Sequence, residues 1–195
     1  HCLNLKNAPD IFIVTDFKHN LFFNDNKSVN YLIVQPGLTM SKKRNLAAKN
    51  TYTEYLAFFD SDSFPASSDW IEHAIKKINQ DENIYCVGGP DTSPLSQNES
   101  QKSVGLLKKS YLISGFRNHR KNIMPEMYVN ELSSSNLFMK RKKYLELGGM
   151  DENLYTGEDT DLYNRIIAKG KKLLYSPDVH AHHYDRTFKS FLIEI

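Results

Sequence analysis

Apolar and polar residues follow one another along this chain in short blocks, alternately of strand and of helix length. Asp10-Ile11-Phe12-Ile13-Val14-Thr15-Asp16 is an apolar run entered after Pro9 and left through polar residues, the pattern of a buried parallel strand. Val29 to Gln35 repeats the pattern and stops at Pro36-Gly37, and Glu54 to Phe59 repeats it again and stops at Asp60-Ser61-Asp62. Between the second and third runs, Ser41 to Asn50 is rich in helix formers, with Ser41 placed to cap it. Strand, helix, strand in that order is a crossover and predicts parallel strands.

The same reading continues downstream. A helix over 69–80 carries the apolar stripe Trp70, Ile71, Ala74, Ile75 and Ile78, and leads into a strand at Ile84 to Val87 ended by Gly88-Gly89-Pro90. Asp91 to Gln101 reads as a surface loop, Val104 to Phe116 as an amphipathic helix, and Asn118 to Asn122 as a basic, exposed stretch. A Ser133 to Asn136 turn, a Leu137 to Met139 strand and a Lys143 to Leu147 helical turn closed by Gly148-Gly149 come next. The last predicted elements are a helix over 159–169, stopped by Gly170, and a strand from Lys172 to Tyr175. The pattern contains no repeat, low-complexity tract or linker.

Composition narrows the class. With 195 residues, 40% hydrophobic and 25% charged, the chain reads as one domain with enough apolar matter for a sheet covered on both faces. Its 25 Lys+Arg against 23 Asp+Glu leave a formal charge of +2, which offers no global attraction to nucleic acid. Cys2 and Cys86 are too few for a disulfide framework and too far apart for a zinc pair, so both read as reduced thiols in a cytoplasmic setting. Apolar stretches run to about half a dozen residues, far short of the roughly 20 that cross a bilayer. The first residue is His1, so the start reads as a cut edge.

Chemistry gathers where strands end. In an open α/β sheet the ligand crevice lies outside the carboxyl ends of the strands, so Asp16, Asp60 and Asp62 are expected on one rim. Two carboxylates two residues apart offer hard oxygen ligands of the kind that hold Mg²⁺ or Mn²⁺ together with substrate phosphates, although aspartates also cap strand ends and start turns. An EF-hand is excluded, because Phe64 and Pro65 stand where its ligand and glycine belong. No glycine-rich phosphate loop of the Rossmann or Walker type is present. Gly157-Glu158-Asp159-Thr160-Asp161-Leu162 opens the late helix, where carboxylates are favoured electrostatically whether or not they act. In Pro177 to Arg186, an extended chain puts His180 and His182 on one face and His183 on the other. Structural zinc is improbable there, whereas one histidine completing a carboxylate metal site is chemically reasonable.

The order of the pieces resembles the family 2 glycosyltransferases: a strand to Thr15-Asp16, Lys43-Arg44-Asn45-Leu46-Ala47-Ala48, Tyr55 to Asp62, Ser134-Ser135-Asn136-Leu137-Phe138-Met139, Leu147 to Glu152, then Gly157 to Leu162. The resemblance covers Asp10 to Arg186. It implies an α/β fold of GT-A type: three layers, α/β/α, a mainly parallel central sheet, and a Rossmann-like nucleotide-binding half beside an acceptor half. It further implies an inverting transfer from a nucleoside-diphosphate sugar, with UDP-sugars the first expectation, to a saccharide or lipid-linked acceptor in polysaccharide or glycoconjugate synthesis. Residue by residue, Thr15 and Asp16 stand where the family contacts the donor base. Arg44 and Asp60-Ser61 stand where it holds the nucleotide, Asp60 and Asp62 where it holds Mn²⁺ or Mg²⁺, and Asp159 at its catalytic base with Glu158 beside it. His183 matches the family's metal-site histidine, with His182 the alternative.

The ends depart from the pattern. Family members open with a strand and helix, of which His1 to Lys6 resembles only the helix tail, and they continue past Phe191 to Ile195. Residues 1–195 therefore read as a single domain truncated at its N-terminus, with its C-terminus a second candidate cut. The competing readings are a sugar nucleotidyltransferase, which lacks its glycine-rich segment here, and a non-catalytic carbohydrate-binding or interaction module. Basic clusters Lys42 to Arg44, Lys108-Lys109, Lys140 to Lys143 and Lys169 to Lys172 could draw an acceptor at the inner face of a membrane. For all but the first, solvated helix surface is the expectation.

Overall fold

The computed structural model describes residues 9–16, 29–110 and 115–187. The expectations for His1 to Lys6, Cys2, the 111–114 part of the predicted third helix and Phe191 to Ile195 lie outside those residues.

In chain order the elements are β1 (Ile11–Thr15), β2 (Val29–Ile33), α1 (Met40–Asn50), β3 (Tyr55–Phe58), β4 (Ser63–Pro65), α2 (Trp70–Ile78), β5 (Ile84–Gly88), β6 (Asp91–Thr92) and α3 (Glu99–Lys109). They continue with a 3₁₀ turn (Gly115–Arg120), β7 (Met127–Val129), a second 3₁₀ turn (Ser134–Asn136), β8 (Leu137–Lys140), α4 (Arg141–Glu146), α5 (Glu158–Ala168), β9 (Lys172–Tyr175) and β10 (Ala181–His183).

The central sheet has the order β3-β8-β5-β9-β7. Strands β3, β5 and β9 run the same way, but β8 lies antiparallel between β3 and β5, and β7 antiparallel on β9. The sheet is therefore mixed and not mainly parallel. Strand β8 is entered from the 3₁₀ turn at Ser134–Asn136, which lies at the end of the sheet where β5 leaves, so β8 runs back against β3 and β5. The β1–β2 pair is parallel, as expected, but forms its own two-stranded sheet among the described residues, and β3 is not its neighbour. A third small sheet, β4-β10-β6, lies at the carboxyl ends of the central strands.

One face of the sheet is covered by α2, whose Trp70, Ala74 and Ile78 repeat every four residues and are buried against β5 and Phe138. Helix α5 brings Leu162, Tyr163 and Ile166 into the same core beside β9. At the centre stands Asn136, fully buried: its Oδ1 accepts from Trp70 Nε1 at 3.2 Å and its Nδ2 donates to Val179 O at 2.8 Å. That amide ties the start of β8 to α2 and to the approach of β10, which explains the Ser-Ser-Asn motif structurally. Gly89 is required by packing, since a Cβ there would run into the carbonyl oxygens of Ser176 and Val179.

Several local expectations are corrected. The cap of α1 is Thr39, whose side chain accepts from Lys42 N, while Ser41 is buried. Helix α3 begins five residues before Val104, because Asn98 and Gln101 form a capping box inside the stretch read as loop. Asp91 is buried in β6, bonded by Ser133 Oγ at 2.6 Å and paired with Lys121 at 2.7 Å. The stretch read as exposed and basic is folded in as well: His119 is buried and Arg120 pairs with Glu131 at 3.3 Å. Cys86 is a free, buried thiol whose pKa burial pushes up.

Past β10, Asp185 is buried against α3, bonded by Ser93 Oγ and paired with Lys108 at 3.1 Å. Burial raises its pKa, but the Ser93 hydroxyl and the charges of Lys108 and Lys121 outweigh burial and hold the carboxyl below the ordinary 3.8. A depressed folded value adds stability above the ordinary one and loses it as pH falls through the folded one. Asp185→Asn is expected to lower stability at neutral pH and to flatten the loss of stability below pH 3.8, read by urea denaturation at stepped pH.

Candidate active site

The site is built on the first half of α1. Arg44, with its side chain 8% exposed, reaches Asp60 Oδ1 through Nη2 at 2.8 Å and Glu158 Oε1 through Nη1 at 3.2 Å. One guanidinium thus joins the carboxyl end of β3 to the N-terminus of α5, residues 114 positions apart from it in the second case. The next residue, Asn45, clamps the loop that carries the chain to α5. Its Nδ2 donates to Met150 O at 2.8 Å and Glu152 Oε1 at 2.9 Å, and its Oδ1 accepts from Met150 N at 3.0 Å. Gly149 has φ +73, and a Cβ there would collide with the Asn45 side chain, so the second glycine of the pair is dictated by this clamp. On the preceding residue of α1, Lys43 pairs with Asp16 at 3.5 Å, bringing the end of β1 alongside.

The Asp60-Ser61-Asp62 turn is fixed by a residue that the motif reading passed over. Ser63 Oγ accepts from Asp60 N at 2.8 Å and lies within hydrogen-bonding distance of Ser135 O at 3.1 Å, so the turn is anchored to the Ser-Ser-Asn segment. A serine just after an aspartate turn is a recognisable signature. Tyr184 N donates to Asp62 O at 3.0 Å, and His183 Nε2 lies 3.2 Å from Asp62 Oδ1. Strand β10 alternates as expected: His183 faces Asp62, while His180 and His182 share the other face, at 2.7 and 3.4 Å from Thr92 Oγ1. Burial, then repulsion from His182, lowers the pKa of His180. His183, not His182, is the histidine gathered with the two aspartates.

Asp60, Asp62 and His183 present ligand atoms that all lie within 4.8 Å of one another. Two carboxylates and an imidazole suit Mn²⁺ or Mg²⁺, and His183 Nδ1 is buried with no hydrogen-bond partner among the described residues. The donor set fits such an ion.

The remaining expected residues fall as follows. Thr15 closes β1 and its carbonyl accepts from Val34 N at 2.9 Å. Ser61 is exposed at the tip of the turn. Asp159 is half-buried in the first turn of α5, where Oδ1 accepts from Thr160 N at 2.8 Å; Gly157 begins that helix with φ +79. The structure brings Asp16, Arg44, Asp60, Asp62, Glu158 and His183 into one connected rim, with Asp159 next in sequence to Glu158.

The sequence pattern of the glycosyltransferase-like family 2 matches residues 15–193, and the chain belongs to that family. Two curated relatives are pre-mycofactocin glycosyltransferases of Mycobacterium tuberculosis, strains CDC 1551 / Oshkosh and ATCC 25618 / H37Rv. Each is 30% identical over 146 residues, which cover 72% of this chain and 30% of the relative. The chain thus spans about 30% of the length of those relatives. Among solved structures it is similar to GalNAc-T7 with UDP, GalNAc and Mn²⁺, at TM-score 0.67 and 17% identity over 91% of this chain and 38% of that one. It is also similar to the mannosyltransferase PcManGT from Pyrobaculum calidifontis in complex with GDP-Man and Mn²⁺, at TM-score 0.64 and 13% identity over 96% and 53%. The fold is of GT-A type, with a mixed central sheet and flanking helices.

Because Arg44 is buried between two carboxylates, Arg44→Met is expected to destabilise the fold by about 2 kcal/mol, the one-third exposure of Asp60 softening the larger cost of a fully buried pair. Denaturant unfolding of the variant checks this, and the double variant Arg44→Met/Glu158→Gln should recover part of the loss.

Proposed function

We propose that the chain transfers a sugar from a nucleoside-diphosphate donor, with UDP-sugars the first candidates, to a hydroxyl of a saccharide or lipid-linked acceptor, with inversion at the anomeric carbon. The observation that carries this reading is the convergence of Asp60, Asp62 and His183 beside the Arg44 bridge to Glu158. Family membership and the nucleotide-bound neighbours support it. Asp16 and Thr15 are read as contacts to the donor base, and Arg44, Asp60 and Ser61 as holding the nucleotide.

Asp60, Asp62 and His183 would hold Mn²⁺ or Mg²⁺, which supplies Lewis-acid stabilisation of the charge that develops on the departing diphosphate. Arg44 keeps Asp60 oriented toward that site. Asp159 accepts the proton of the acceptor hydroxyl at Oδ as the new C–O bond forms at the anomeric carbon, opposite the breaking bond to the diphosphate oxygen. Glu158, held by Arg44, fixes the turn that presents Asp159. The proposed cellular role is synthesis of a polysaccharide or glycoconjugate.

Calorimetric titration of UDP and GDP, with and without Mn²⁺, tests the reading. Metal-dependent binding is expected, weakened at least about tenfold, or ~1.4 kcal/mol, by Asp62→Ala. Asp159→Asn should bind the nucleotide as the parent does. Equal binding by parent and Asp62→Ala, or none by either, would overturn the proposal and leave a non-catalytic module.

A further inference from the structure

Two basic runs that are far apart in sequence, Lys140 to Lys143 and Lys169 to Lys172, meet at one end of the central sheet. The topology brings this about. Strand β8 is antiparallel to both β3 and β5, so it leaves the sheet at Lys140, opposite Tyr55 where β3 enters. Strand β9 is parallel to β5 and enters at Lys172, opposite Ile84. The cations therefore crowd the amino ends of β3, β5 and β9, while Asp60, Asp62 and His183 lie beyond their carboxyl ends.

Three of these seven cations rest on neutral partners. Lys143 Nζ donates to Glu82 O at 2.7 Å and Ile84 O at 3.2 Å and sits 4.1 Å from the Tyr85 ring centroid. Lys171 Nζ donates to Asn83 Oδ1 at 2.7 Å and lies 5.7 Å from the same ring. Arg141 donates to Ala48 O at 2.8 Å, with its guanidinium 6.0 Å from the Tyr52 ring. Among the described residues, Lys172 pairs with Asp81 at 3.1 Å and Lys142 lies 3.9 Å from Glu146. By contrast Lys43, Arg44, Lys108, Lys121 and Arg165 each pair with a carboxylate. Acids are present at this end, Glu54, Asp81, Glu82 and Glu146, but they are outnumbered by the seven cations of the two runs. The positive field is felt inside the cluster: burial, then Lys140 and Lys171, hold the Lys143 ammonium below its ordinary pKa.

We infer that this end of the sheet docks on an anionic lipid surface. Interleaved lysines, arginine and tyrosines are the composition of a membrane interface, and Tyr52 (94% exposed) and Tyr128 (55%) stand out from it. Stacked nucleic-acid bases fit less well, since a cation already lies over the ring of Tyr52, Tyr85 and Tyr128. Docking here leaves the carboxyl-end rim open. The inference does not depend on the proposed transferase chemistry.

Flotation of the chain with phosphatidylcholine vesicles, with and without phosphatidylserine, tests it. Binding is expected only with phosphatidylserine, and is expected to fall as salt rises. Lys142→Glu/Lys169→Glu, at two exposed positions, should weaken it by roughly tenfold or more, each lysine near such a surface being worth about fivefold in affinity. Lys142→Arg/Lys169→Arg should retain it, and Lys76→Glu/Lys109→Glu, an equal charge change elsewhere, should weaken it less. Equal loss in the two reversal variants, or no binding to either vesicle, overturns the inference. Binding of a single-stranded oligonucleotide in place of vesicles would replace it with a nucleic-acid surface.

Discussion

The buried guanidinium of Arg44 is the constraint around which the site is organised. A cation withdrawn from water must be met by charge or by hydrogen-bond acceptors, and here it is met by two carboxylates that arrive from different parts of the chain. Asp60 comes from the end of β3 and Glu158 from the first turn of α5. Each is held a second time from outside the pair: the Asp60 turn by Ser63 and Ser135, and the path to α5 by the Asn45 clamp on Met150 and Glu152. Removing the guanidinium would leave two acids facing one another at the point where the candidate metal site and the candidate base have to be kept in register.

Much of this was legible in the sequence because it is written in local chemistry. Runs such as Ile11 to Thr15 and Lys172 to Tyr175 have strand length and apolar character, and the Trp70, Ala74, Ile78 stripe has helical spacing. The aspartates close a strand, and the alternation of His180, His182 and His183 follows from an extended backbone. What stayed hidden depends on partners distant along the chain. Strand direction is one such property: nothing within Leu137 to Lys140 states that it runs against β3 and β5. The burial of Asp91 is another, since Lys121, Ser133 and Ser135, which make it tolerable, lie 30 or more residues away. That Lys140 to Lys143 and Lys169 to Lys172 meet at one end of the sheet is a third, since strand direction alone brings them together.

The same sheet gives its two ends opposite character. At the carboxyl ends, the small β4-β10-β6 sheet and the turns after β3 and β5 bring acids, an imidazole and a buried arginine together, with Arg44 and Lys121 each paired with a carboxylate. At the amino ends, ammonium groups rest on carbonyls, an amide and tyrosine rings, and the cations outnumber the acids. Strands β3, β5 and β9 all leave the sheet toward the acidic rim, whereas antiparallel β8 leaves it at the opposite end and carries Lys140 to Lys143 there.

The central claim is that motifs spread over most of the chain form one metal-bearing site held by Arg44. Anomalous diffraction from crystals grown with Mn²⁺ and UDP tests it most directly. A manganese peak bounded by Asp60, Asp62 and His183, with Arg44 still in contact with Glu158, is the predicted result. Manganese bound elsewhere, or Arg44 withdrawn from both carboxylates, would contradict it.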